Sequence, residues 1–233
     1  MSNAVLIIGQ SGTGKSTSIR TLPPEETFVI NILGKPLPFP GFNKKYVKLS
    51  SDGLTGNYLI TDDHSKIMRA INLVNNRRPE IKYLILDDLG YTISNDYMRN
   101  AMVKGYEKFS LLGKDAWEIF KAVNDVRDDL LCFLMMHSDT DADGRSKPKT
   151  IGKLLDEKVC IEGMFTIVLH SLVMDSAYLF VTNHDGVHLA KTPMDMFSHI
   201  RINNDLKSIA DTINNYYNLD TTTGEETSEI CPS

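Results

Sequence analysis

The run Gly9-Gln10-Ser11-Gly12-Thr13-Gly14-Lys15-Ser16-Thr17 holds the densest chemistry in the chain. It satisfies the spacing G-x-x-x-x-G-K-[ST], in which glycines let the backbone curl around a phosphate with its amides pointing inward. On this reading Lys15 adds a mobile positive charge between the β and γ phosphates, and Ser16 offers a hydroxyl to magnesium. The flanks agree. Residues 5–8 are a continuous apolar run that suits a strand buried on both faces. Residues 15–22 suit a helix, whose N-terminus would add positive potential and which Pro23 and Pro24 end. The sequence therefore predicts ATP and Mg²⁺ bound on residues 9–17.

A second dense apolar run, 81–86, delivers Asp87 and Asp88 at its end, where open α/β sheets bind ligands. Asp87 is expected to hold Mg²⁺ through water. Asp88 either orients an attacking water or caps the next helix. A third run, 130–136, leads to His137, which in a parallel sheet faces the same crevice and can sense the γ-phosphate, or else is a satisfied structural residue. Lys191 follows an expected strand at 187–190. It is either a solvated charge or, in an oligomer, a group that reaches a neighbour's γ-phosphate. Glu25 and Glu26 read as surface charges.

Elements must hold these groups in place. A strand is expected at 27–32, followed by a proline-broken loop at 34–41 and a short strand at 46–49. Residues 63–76 place Ile67, Met68, Ile71 and Val74 at helical spacing, with Asp62 or Asp63 as cap. Residues 94–129 read as mostly helical, interrupted near Gly105 and Gly113. Residues 139–150 read as a mobile polar loop, and 151–160 as a helix. Strands at 165–172, 177–182 and 187–190 follow, then a helix at 204–217 and a polar acidic end at 221–233.

Composition sets limits on all of this. Across 233 residues the apolar share is 42% and the charged share 24%, enough for one main packed core. A formal charge of -5 excludes a generally basic coat, so any nucleic-acid contact needs a local patch or an oligomer's inner surface. Cys132, Cys160 and Cys231 share no C-x-x-C spacing, and reduced thiols without a zinc site are expected. The apolar run at 4–8 is too short for a signal peptide and no later run matches a membrane span, so a cytoplasmic protein is expected.

In order, the phosphate loop, Asp-Asp strand, strand ending in His137, polar loop and linked terminal strands resemble the RecA-like core of P-loop ATPases. More narrowly, they resemble phage-encoded nucleotide-binding proteins of that superfamily, some of which act in single-strand annealing and recombination. The resemblance covers 3–197 and rests on 9–17, 84–88, 134–138 and Lys191-Thr192-Pro193. It implies an α/β RecA-like fold: a mostly parallel central sheet flanked by helices, with terminal antiparallel strands. The implied division is an ATPase domain at 1–203, a helix at 204–218 and an acidic flexible tail at 219–233.

The resemblance further implies two loops facing single-stranded DNA. By position these carry Lys104, Tyr106, Lys108 and Phe109 in the first, and Arg145, Lys147 and Lys149 in the second. The cations could neutralise phosphates and the aromatics could stack on bases. Alternatively, Tyr106 and Phe109 pack into the core. Two departures stand. Residues 31–34 read Asn-Ile-Leu-Gly where many RecA-like ATPases place a water-activating glutamate, and no separate polymerisation domain is evident. The activity implied is a DNA-stimulated ATPase acting as a homo-oligomer in the host cytoplasm, with a single-strand binding protein as a partner for the acidic tail. Its rivals are a small-molecule P-loop kinase, with 139–150 as lid, and an assembly or packaging switch that rarely hydrolyses ATP.

Overall fold

Uninterrupted runs of Val, Ile and Leu cannot lie on a wet sheet face, and here they form the sheet's interior. The computed structural model describes residues 4–103, 105, 107–141, 144–150 and 159–217, leaving out the side chains of 107 and 108. Its strands are β1 (Ala4–Gly9), β2 (Thr27–Asn31), β3 (Tyr58–Ile60), β4 (Tyr83–Asp87), β5 (Leu131–Thr140), β6 (Ser146–Pro148), β7 (Ile167–Met174), β8 (Ala177–Val181) and β9 (Arg201–Asn203). Every residue of β1, β2 and β4 is buried, as expected of parallel strands covered on both sides.

The order across the sheet is β3-β2-β4-β5-β1-β7-β8-β9, with β6 on the outer end of β5. Pairing is parallel from β3 to β7 and antiparallel at β7–β8 and β8–β9. The architecture is therefore α/β with a mostly parallel central sheet. Among the described residues the α-helices are α1 (Phe42–Lys45), α2 (His64–Arg77), α3 (Gly90–Arg99), α4 (Glu107–Asn124) and α5 (Leu206–Tyr217). Alternate strand residues divide the core. Leu6, Ile8, Phe28, Ile30, Leu84 and Leu134 meet α2, α3 and α4 through Ile67, Ile71, Ile93 and Phe120. Val5, Ile7, Ile85, Phe133 and Leu169 face the other way, against Ile19, Leu37, Phe39 and the α5 residues Ile209 and Ile213.

Helix α2 matches its periodicity closely, and Asp63 caps it by accepting from the Lys66 amide at 2.8 Å. Several expectations are corrected. The described residues of 139–150 include strand pairing: Ser138, Asp139 and Thr140 pair antiparallel with Pro148, Lys147 and Ser146. Between the paired segments the Gly144 amide donates to Asp141 O and the Arg145 amide to Asp141 Oδ1.

Residues 187–190 form no strand, because the Ser146 amide donates to Val187 O and the Leu189 amide to Ser146 Oγ instead of a ladder. Gly113 lies inside an unbroken α4. Within 46–49, only Lys48 bridges, to Tyr58. The helix expected at 15–22 is a short 3-10 segment, Ser16–Thr21. Its hydroxyls explain why: Ser18 Oγ donates to Lys15 O and Thr21 Oγ1 to Ser18 O, in competition with the α-helical ladder. Most of the helix expected at 151–160, and the tail, lie outside the described residues. No helix among the described residues is long and apolar enough to cross a membrane.

Candidate functional site

Neighbouring strands lie about 4.8 Å apart, so with β5 between them the ends of β1 and β4 are separated by roughly 10 Å. The loop after β1 closes that gap. Ser16 Oγ donates to Asp87 Oδ1 at 2.7 Å, joining the hydroxyl and carboxylate that the sequence marked for a metal. Both are oxygen donors, the class a hard divalent cation takes. Lys15 is buried, and its ammonium donates to Gly9 O at 2.7 Å and Gln10 O at 2.8 Å. Burial lowers its pKa to about 8, opposed by the charges of Asp88 and Asp87. Among the described residues, no protein acceptor meets the amides of Gly12, Thr13, Gly14, Lys15 or Ser16. A row of unpaired amides beside an ammonium is a cradle for an anion. The short 3-10 segment adds little of the dipole that a full helix would have contributed.

The loop is braced from the β7–β8 side. Thr13 Oγ1 and Ser171 Oγ share a hydrogen bond of 2.7 Å. Gly14 has φ +92, and a Cβ there would sit 2.7 Å from Tyr178 Cδ1. Asn204 Nδ2 donates to Gly14 O, while Arg20 donates to Asn204 Oδ1 and to Thr17 O. Sequence reasoning missed Ser171, Tyr178 and Asn204 because nothing local marks a residue that supports a loop more than 150 positions away.

Asp87 is almost fully buried, and burial, then the Asp88 charge, push its carboxyl up to about 6, against the Ser16 bond and Lys15. Two adjacent carboxylates in a dry corner favour a bound cation or a proton. Asp88 has φ +61, a left-handed conformation that costs about 1 kcal/mol or more outside glycine and often marks functional sites. The twist turns its side chain toward β5, where His137 Nε2 lies 3.3 Å from Asp88 Oδ1. Burial raises the Asp88 pKa, but the His137 bond and charge, with Lys35 and Lys15, outweigh it and hold the group below its ordinary value. His137 stands opposite Gly9 in the register and edge-on to the Tyr91 ring at 5.7 Å. Ser11, Gly12, Gly14, Lys15, Ser16, Thr17, Asp87, Asp88 and His137 thus line one crevice, together with Lys35, Pro36, Pro38 and Tyr178. Gln10 lines the adjoining hollow with Ser11, Lys35, His137 and Lys149.

Other expected site residues are not brought there. Lys191 is pinned by two backbone bonds to Val168, upstream of Ser171 on β7, outside this chain's crevice. Phe109 belongs to α4 rather than to a loop, and its ring packs 5.9 Å from Tyr97. Lys108 also falls within α4, with its side chain outside the description, and Lys104 and Tyr106 lie outside the described residues. Arg145 and Lys149 are exposed on the β5–β6 hairpin, and Lys147 is half-buried opposite Asp139. On the α2–α4 face, His64, Asp115 and Glu118 bring ligand atoms within 4.8 Å of one another. His64 Nε2 is 3.3 Å from Glu118 Oε2, a contact between α2 and α4. No protein-family model and no curated protein matches the chain.

Proposed function

We propose that the protein binds a nucleoside triphosphate with magnesium and hydrolyses it, with ATP as the expected nucleotide. The observation that carries this reading is the 2.7 Å contact between Ser16 and Asp87, residues 71 positions apart that meet beside the buried Lys15 and the unpaired loop amides. In this reading the amides of 12–16 hold the phosphate chain and Lys15 leaves the Gly9 and Gln10 carbonyls to reach it. Magnesium bound between Ser16 and Asp87 would neutralise charge developing on the β and γ oxygens. Asp88, held against His137 Nε2 at 3.3 Å, is the carboxylate placed to orient the attacking water, and His137 beside it faces the terminal phosphate.

The exposed cations Arg145 and Lys149, on a hairpin that grows from the same strand as His137, favour single-stranded DNA as a partner, with turnover stimulated by it. The strand pairing of 138–140 with 146–148 weighs against a kinase lid. The RecA-like assignment and homo-oligomerisation belong to this same proposal. Calorimetry of the purified chain with ATP, with and without magnesium, tests the core of it: magnesium-dependent binding is expected, and heat-silent titrations under both conditions sink it. Phosphate release measured with and without single-stranded DNA tests the rest, since indifference to DNA removes the recombination reading.

A further inference from the structure

The place where a water-activating glutamate was expected holds Asn31, which is 2% exposed at the end of β2 and level with Asp87. Its amide is fully engaged in shaping the next loop. Oδ1 accepts from the Gly34 amide at 2.7 Å, and Nδ2 donates to Lys35 O at 2.7 Å and to the Tyr58 hydroxyl at 2.6 Å. Gly34 sits at φ +67, with Ile60 Cγ2 only 2.9 Å from where a Cβ would be, so no other residue fits this turn without strain. Beyond it the residues alternate: Leu37 and Phe39 are buried in the core, while Lys35, Pro36, Pro38 and Pro40 face outward. Prolines fix φ at several of these positions. Two apolar anchors, three prolines and one buried asparagine tie this loop down, and Lys35 stands at its start with its carbonyl held by Asn31.

Lys35 reaches the phosphate crevice. Lys35 lines it with Ser11, Gly12, Lys15, Asp88 and His137, and its ammonium lies 5.7 Å from the Tyr91 ring centroid. Lys15 and the Ser16–Asp87 pair fix the cradle on one side, so a phosphate chain held there ends toward Asp88, His137 and Lys35. We infer that Lys35 is a second phosphate-binding cation, supplied within the chain, that recognises the terminal phosphate of a nucleoside triphosphate. Asn31 is the positioning residue that aims it. This rests on the triphosphate reading above, and it gives the crevice a means to tell triphosphate from diphosphate without Lys191 or a neighbouring copy.

The test compares a nonhydrolysable ATP analogue and ADP, both with magnesium, titrated into the full chain by calorimetry. Lys35→Ala is exposed and leaves the core untouched. It is expected to weaken the analogue about tenfold or more, equivalent to about 1.4 kcal/mol, while ADP stays within about twofold. Lys35→Arg is expected to restore part of the preference. Asn31→Ala is expected to lose the same analogue-over-ADP ratio, a readout that general destabilisation of the fold would not shift selectively. An unchanged ratio in Lys35→Ala, or equal losses for both nucleotides, overturns the assignment and leaves the phosphate-loop reading standing. If the wild-type chain binds neither nucleotide, both fall together.

Discussion

Asp87→Asn is expected to make the isolated protein more stable at neutral pH while destroying its use of magnesium. The native carboxyl has a pKa of about 6, against 3.8 for the free side chain. Between those values the folded chain holds a proton that the unfolded chain has released, so folding loses stability as pH rises through the window. The full cost is reached above pH ~6 and amounts to about 3 kcal/mol at ~1.4 kcal/mol per tenfold difference. Asparagine keeps the shape and can still accept from Ser16, but cannot carry the charge. It forfeits one acceptor oxygen that the Asp88 amide uses, worth ~1 kcal/mol, which leaves a net gain of about 1–2 kcal/mol. For a chain of this size that corresponds to ~2–8 °C in Tm.

Circular dichroism melts of both proteins in chelator from pH 4 to 8 read the difference directly. The Tm gap should be small or reversed near pH 4 and open in the variant's favour by pH 7. Added magnesium and nucleotide should raise Tm in the wild type alone. A variant that melts at or below the wild type by a constant margin at every pH refutes the argument, because its gap would then owe nothing to ionisation.

Lys15→Ala is expected to abolish magnesium-nucleotide binding, and equal affinity in calorimetry would displace the site from residues 9–17. Gly14→Ala forces a side chain into a left-handed backbone and against Tyr178, and should cost about 1–3 kcal/mol in denaturant unfolding as well as nucleotide affinity; a variant as stable and active as wild type would show that the loop tolerates a Cβ. Changing Lys147 and Lys149 together to Ala should weaken single-stranded DNA binding and flatten its salt dependence by up to ~1–2 in slope. An unchanged slope would move any DNA contact away from the β5–β6 hairpin.

Much of the sheet was legible because buried parallel strands advertise themselves as unbroken apolar runs, and β1, β4 and the inner part of β5 fall where those runs do. The crevice was legible for a related reason: the motif lies in one contiguous stretch, Asp87 ends β4, and His137 stands on β5 opposite Gly9, the last residue of β1. The outer half of β5 was not. Once past His137 it leaves the core, its residues turn polar, and its partner β6 contains Lys147 and Pro148, so only hydrogen bonding, invisible in composition, makes it a hairpin. Lys191 was placed by chain order at a strand end, whereas it bridges Val168 on β7, outside this chain's own crevice. Asn31 was noticed for what it lacks. Its role depends on Gly34, Lys35 and Tyr58, and a side chain's partners cannot be read from its position alone.

Among the described residues the sheet ends at both sides on strands of three residues, Tyr58–Ile60 and Arg201–Asn203. So short a border exposes few unsatisfied backbone groups and gives a foreign strand little to zip onto. Copies of this chain that associate would therefore meet through side chains and loops, and their contacts should respond to salt and to surface substitution as such contacts do, with no extension of the sheet from one copy into the next.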